Sequence, residues 1–364
     1  MRIYFENYGK DNALLFKKTL SNIADVLRLE SEYAHENYVR QFEAGFARYN
    51  KSSHVIGVNS GTTALQLSLE AIGIKAADEV ILPAYTYIAS ALAVSNTGAK
   101  PVFVDITEGT LTIDPEEIKK HITKRTKAII PVHIHGNPCD MHKICAIAKK
   151  YGLSVIEDAS HAHGAEYRGK KVGNFGIGCF SCHTTKILSG TGNSGIITTD
   201  DNNTYELISQ MVQVGNDPYP GLTARTPCKM DAIQAAVLKT KLSSLNTIIK
   251  QRRKNASFYV NRIGKYVRLQ QQEQGAYQVF RDFVILSPKR DIIATSLKES
   301  GIETKIRYKT PLHLTKFYSG LKYKKGDLPV AEKTARQALC LPISSVLSPE
   351  ELGYVCDELK KAVK

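Results

Sequence analysis

The sequence predicts an α/β protein in two parts. A large domain over residues 1–240 is built on a mostly parallel sheet covered by helices, and a smaller α+β domain follows over residues 241–364. Three observations carry this. Short runs that are apolar throughout alternate with stretches of helical periodicity, the pattern of strands buried on both faces. Residues able to do chemistry sit just after those runs, where open α/β sheets gather ligands. A long helical pattern from about Asp231 to Ala256 then joins this part to a tail of mixed strands and helices.

The elements follow in order. Leu14, Leu15, Phe16, Leu20, Ile23, Val26 and Leu27 recur at helical spacing, and Phe42, Phe46 and Tyr49 continue it, so residues 10–50 read as helical. Residues 55–58 form a short strand that runs into Ser60-Gly61-Thr62-Thr63. Amides and the dipole at a helix start attract a phosphate, and Thr62 and Thr63 add hydroxyls. An ordinary N-cap uses the same residue types, so the stretch alone leaves both readings open. Residues 79–83 are a strand ending before Tyr87, with a helix to about Asn96. Strands are expected at 101–105, 127–133, 153–157 and 196–199, with helices opening at Asp114 and spanning 144–151. In the second domain, strands are expected at 279–286 and 302–306. A helix over 291–300 stops at Gly301, and a terminal amphipathic helix spans 350–363.

The chemistry centres on Lys186, which ends Phe180-Ser181-Cys182-His183-Thr184-Thr185-Lys186, and on Asp158, at the end of an apolar run. A lysine amine can bond an aldehyde cofactor. A buried carboxylate can keep the ring nitrogen of pyridoxal phosphate (PLP) protonated, which makes that ring an electron sink. Lys186 and Asp158 are therefore the candidate PLP pair. Gly190–Gly195 matches G-x-G-x-x-G, but it precedes a strand instead of following one, so it reads as a tight turn beside Lys186.

Composition narrows the class. The 43% hydrophobic and 23% charged content is that of a folded domain. No apolar run approaches the ~18 residues of a membrane span, and Met1-Arg-Ile-Tyr-Phe-Glu lacks a secretory pattern, so a cytoplasmic protein without a membrane partner is expected. The seven cysteines are scattered and read as reduced and structural; with no second pair to complete Cys179-x-x-Cys182, no metal site is expected. The net charge of +14 is spread over helical stretches, which suits anionic substrates better than a nucleic-acid groove.

About ten motifs in order resemble the DegT/DnrJ/StrS family of PLP-dependent sugar aminotransferases. Among them are Ser60-Gly-Thr-Thr-Ala-Leu65, Gly98-Ala-Lys-Pro-Val-Phe-Val-Asp105, Glu157-Asp-Ala-Ser-His-Ala-His-Gly-Ala165, Phe180-Ser181 with Lys186, and Pro311-Leu-His-Leu314. The resemblance implies the PLP fold-type I large domain with its seven-stranded type of sheet. It implies that Lys186 bonds the cofactor and moves the proton in transamination. Asp158 would hold the ring nitrogen, Tyr87 and His161 would stack on or bond the ring, and Gly61, Thr62, Thr63 and Ser181 would take the phosphate. Tyr308, His313 and Lys229 are the implied substrate residues. The implied partners are a glutamate or glutamine donor, a keto-sugar acceptor that is nucleotide-linked, and a second copy of the chain in a homodimer. The family commonly has Gln at His161; the histidine is shared with relatives acting on keto-cyclitols, so a free or phosphorylated ketosugar or a keto-cyclitol is the alternative acceptor. Pro227-Cys228-Lys229-Met230 replaces the family's Asn-x-Arg-Met, leaving Arg225 or Lys229 to substitute. Family dehydratases carry histidine in place of the lysine, so Lys186 argues against dehydration, and the Lys186–Asp158 pair argues against a purely regulatory role.

Overall fold

The computed structural model describes residues 1–213 and 227–364. Seven strands form the large sheet: β1 His54–Val58, β2 Glu79–Pro83, β3 Lys100–Val104, β4 Thr126–Ile129, β5 Ser154–Asp158, β6 Ile177–Ser181 and β7 Gly195–Thr199. Their order is β1-β7-β6-β5-β4-β2-β3. All ladders are parallel except the two made by β7, which pairs antiparallel with β1 and β6. The expected mostly parallel sheet is thus present, with β7 as its reversed member. Ile81, Leu82, Ile129, Ile156, Phe180 and Ile197 are all fully buried in it. Each such side chain contributes about 1.5–3 kcal/mol by leaving water.

Covering helices form where apolar stripes meet good caps. The helix Gly61–Ala71 buries Ala64, Leu65, Leu67 and Leu69, and Ser60 Oγ accepts the Thr63 amide at its start. The N-terminal stretch resolves into Tyr8–Ala13, Phe16–Leu27 and Glu32–Asn50. The C-terminal part of the chain has an antiparallel sheet of Arg268–Leu269, Phe283–Leu286 and Ala338–Leu341. The helix Pro349–Val363 carries a Ser348/Glu351 capping box and packs on this part. Ile3 is buried in the same core and bridges Ile302, so the first residues of the chain belong with the last.

Three expectations change. The expected single helix over 231–256 is two, Ala232–Leu242 and Leu245–Ile263. Ser243 Oγ donates to the Thr240 carbonyl, and Ser244 leaves helical geometry at φ −108°, ψ 0°. Serine competes in this way with the helix ladder. The strand expected from 279 begins at Phe283, because Phe280 takes φ +49° and turns the chain. The strand expected at 302–306 is reduced to single bridges, Ile302 with Ile3 and Lys305 with Cys340. The strand Ala338–Leu341 carries no alternating pattern and was not expected from the sequence.

Candidate active site

A cavity of about 400 Å³ opens where β1, β5 and β6 end. Gly61, Thr62, Tyr87, Asp158, His161, Ser181, Lys186 and Tyr308 all line it. The helix start at Gly61 lies hard against the end of β6: a Cβ on Gly61 would sit 2.6 Å from Ser181 Cβ. Only glycine allows that approach, and it leaves the unpaired first-turn amides facing the cavity beside the Thr62 and Ser181 hydroxyls. Gly195, at the start of β7, is equally constrained, since a Cβ there would meet the Ser60 carbonyl at 2.4 Å. The Gly190–Gly195 segment, expected as a tight turn, is a bend at 191–192 that leads into β7.

Asp158 is nearly buried at the end of β5, accepting the Ser90 hydroxyl at 2.7 Å and the Ser160 amide at 3.1 Å. Those bonds fix the orientation of the carboxylate. His161 Nδ1 accepts the His135 amide at 3.3 Å. Burial, followed by the charge of Lys186, pushes the His161 pKa well below the usual range, so the ring is neutral and its Nε2 carries the proton. Burial is also the largest influence on Lys186. Together with the Arg281 charge, and against the pull of Asp158, it brings the lysine down to about 7. A lysine at that value exchanges protons readily at neutral pH. Tyr87 is 59% exposed at the cavity wall, with its ring centre 6.1 Å from that of Tyr308. A large aromatic left open in a cavity offers a face to a flat ligand.

Three further expected residues lie elsewhere. The Thr63 hydroxyl donates to Asn59 Oδ1 at 2.6 Å within the turn and does not line the cavity. His313 is buried beside Glu332, 3.3 Å from its carboxylate, where it ties the segment after Pro311 to the helix Pro329–Gln337. Lys229 pairs with Glu36 at 3.0 Å and lines a separate groove. Arg225 falls outside the described residues. His163, fully buried against Phe180, is held down to about 3 by burial and packs as a core ring.

Sequence reasoning missed the opposite wall. Arg307 lines the cavity. Behind it, Arg281 bonds Asp282 and Glu6, each at 2.7 Å. Glu6 also accepts Lys305 at 2.8 Å and the Tyr8 hydroxyl at 2.6 Å. His135 Nδ1 lies 3.0 Å from Asp282, and Cys340 completes a buried trio with them, but the Asp282 carboxylate is already engaged by guanidinium groups. No spacing in the sequence joins Glu6 to residues 281–307, which lie 275 and 301 positions away at Arg281 and Arg307.

This arrangement fits PLP. The glycine-opened helix start suits its phosphate, the Asp158 carboxylate its ring nitrogen, the near-neutral Lys186 its aldehyde, and the Tyr87 and His161 rings its faces.

Comparison with known proteins agrees. The model of the DegT/DnrJ/EryC1/StrS aminotransferase family matches residues 16–360. The chain is 39% identical to a pleiotropic regulatory protein of Geobacillus stearothermophilus, over 94% of each chain. It is 38% identical to the dTDP-3-amino-3,4,6-trideoxy-alpha-D-glucose transaminase of Streptomyces venezuelae, over 88% of this chain and 86% of that one. Among solved structures, S. venezuelae DesV in complex with a ketimine intermediate superposes with TM-score 0.94 at 36% identity, covering 100% and 99% of the two chains. NtdA from Bacillus subtilis with bound cofactor PMP superposes with TM-score 0.89 at 28% identity, covering 100% and 85%. With the family model spanning nearly the whole chain and a cavity built as its chemistry requires, this protein belongs to the DegT/DnrJ/EryC1/StrS aminotransferase family.

Proposed function

We propose that this enzyme moves an amino group from glutamate or glutamine to the ketone of a nucleotide-linked sugar, in amino-sugar biosynthesis. The observation that carries the reading is a lysine brought down to about 7 in the same cavity as a hydrogen-bonded buried carboxylate. When bound, PLP supplies an electron sink that lets the carbon next to the transferred nitrogen lose and regain a proton. Lys186 Nζ would hold the cofactor's aldehyde, and as a free amine it would carry that proton. Asp158 would accept the ring N–H, a charge-assisted bond of about 1.5–3 kcal/mol. The Gly61 and Thr62 amides, with Ser181, would take the phosphate. His161, with its proton on Nε2, would donate to the ring substituents.

The nucleotide-linked acceptor is supported by the dTDP-sugar transaminase relative and by the +14 net charge, which draws a pyrophosphate toward the protein. We place the enzyme in the cytoplasm as a homodimer. Phe16, Leu20 and Leu27 are 54–71% exposed on the helix Phe16–Leu27, with Leu14 88% exposed in the turn before it, an apolar stretch that a second copy would cover.

Glutamate added to the PLP-loaded enzyme should shift its absorbance and release 2-oxoglutarate. A dTDP- or UDP-linked keto-sugar should then restore the starting spectrum. An enzyme that binds PLP but whose spectrum no amino acid donor changes would overturn the transaminase reading.

A further inference from the structure

A second, smaller cavity of about 70 Å³ adjoins the first at Lys186, which lines both. A water's share of the liquid is about 30 Å³, so the space holds a few waters or one small ion. Four separated segments meet there: the helix Tyr8–Ala13, the loop after β6, the two helices on either side of the Ser243–Ser244 break, and the turn at Ser344 and Ser345.

The charges around this cavity do not balance. Arg252 is 8% exposed, and its Nε and Nη2 donate to the Phe280 and Arg281 carbonyls at 3.0 and 2.8 Å. Among the described residues its Nη1 has no partner, and no carboxylate pairs with the guanidinium. Lys241 donates to Ser189 Oγ at 2.9 Å and likewise has no ion pair among the described residues. A buried cation without a counter-ion is costly. Burial pushes the Arg252 pKa down to about 10 and lowers that of Lys241. Glu6 and Arg281 line the same cavity, but they bond each other at 2.7 Å. That leaves Asp11 facing Lys241 and Arg252, one carboxylate against two cations, and it forms an ion pair with neither. Burial raises the Asp11 pKa in spite of their charges, which weakens it further as a counter-ion.

Size and donors decide the ligand. A sugar ring or a phosphate chain does not fit the volume, while the hydroxyls of Thr185, Ser189 and Ser345 add neutral donors to the two cations. One positive charge in excess, in a space of this size, matches one small monovalent anion. We propose that this cavity is a binding site for a small inorganic anion of the halide class, held by Arg252 Nη1 and Lys241 Nζ. The bound ion supplies the missing counter-charge beside Lys186. It also ties the helix Tyr8–Ala13 to the lysine loop and to the helices that join the two parts of the chain. None of this requires a particular reaction in the larger cavity, so it stands or falls separately from the transaminase reading.

Bromide, which has an anomalous X-ray signal, is the probe. Crystals of the PLP-loaded enzyme grown without halide and soaked in bromide should show an anomalous peak between Arg252 and Lys241. In solution, replacing gluconate with bromide at equal ionic strength should raise the melting temperature by about 2 °C once bromide is tenfold above its dissociation constant. Lys241→Met should weaken bromide binding at least about tenfold and abolish that shift at the same concentration. Asp11→Asn distinguishes an anion site from a water-filled cluster of charges. It removes the carboxylate that repels the anion, so bromide should bind about threefold more tightly. If Asp11 is instead the counter-ion, the same change lowers the melting temperature and leaves bromide without effect, which overturns the proposal. Equal melting of the wild-type enzyme in bromide and gluconate, with only water in the soaked crystals, overturns it as well. So does bromide found in the larger cavity alone. If Lys241→Met does not fold, Lys241→Gln and Asp11→Asn decide the outcome.

Discussion

The two walls of the cavity are built in opposite ways. The sheet wall comes from strand ends: Gly61 after β1, Asp158 ending β5, Ser181 ending β6 and Lys186 in the following loop. Each residue is placed by the element that carries it. The far wall comes from ion pairs between distant segments, with Glu6 and Arg307 separated by 301 positions. The sheet wall presents chemistry set by backbone position. The far wall presents a charge held by other charges, so substitutions there should shift substrate affinity while substitutions on the sheet wall should weaken the hold on the cofactor or remove the reaction.

The sharpest break of that comparison is at Lys186. Lys186→Ala removes both the aldehyde attachment and the proton carrier, and transamination should fall by at least about 10⁴-fold in single-turnover assays. Asp158→Asn keeps the shape but loses the charge-assisted bond, so PLP should bind about 10- to 100-fold more weakly by fluorescence titration. Gly61→Ala drives a methyl into Ser181, an overpacking that costs about 1–3 kcal/mol. It should appear as weaker binding of PLP, with the amine chemistry of Lys186 intact in borohydride trapping.

Two smaller effects separate structure from function. His313→Asn breaks the buried contact with Glu332 and should lower stability by about 1–3 kcal/mol in urea unfolding, leaving the glutamate KM unchanged. In the enzyme without PLP, Lys186 carries a pH signature. Its folded pKa is about 7 against an ordinary 10.5, so between those values the unfolded chain holds the extra proton and stability rises with pH. Below about 7 both states are protonated and the full penalty applies. Lys186→Met removes the penalty, so its gain in melting temperature should be largest below pH 7 and fade toward 10.5. A gain independent of pH would assign it to packing alone.

The same contrast explains what could be read from the sequence. Apolar runs gave six of the seven strands of the large sheet within a few residues, because burial on both faces leaves a local imprint; Ile177–Ser181, broken by Gly178 and Cys179, was not expected. Gly61, Asp158 and Lys186 were readable for a similar reason: each residue type has a distinctive role directly after a strand. Arg307 and Glu6 were not, since an arginine and a glutamate are ordinary until the fold brings them together. His313 and Lys229 were proposed from motif resemblance, yet one is tied to Glu332 and the other to Glu36, pairings no spacing reveals. The break at Ser243 and Ser244 was hidden because apolar periodicity continues across it, with Leu242 and Leu245 on either side.

The central claim is that Lys186 is the amine that holds the cofactor. Borohydride reduction of the PLP-loaded enzyme, followed by peptide mass spectrometry, tests it most directly. The added phosphopyridoxyl mass is expected on the peptide containing Lys186 and nowhere else. A label on another lysine, or a protein that takes up PLP and releases it all after reduction, would contradict it.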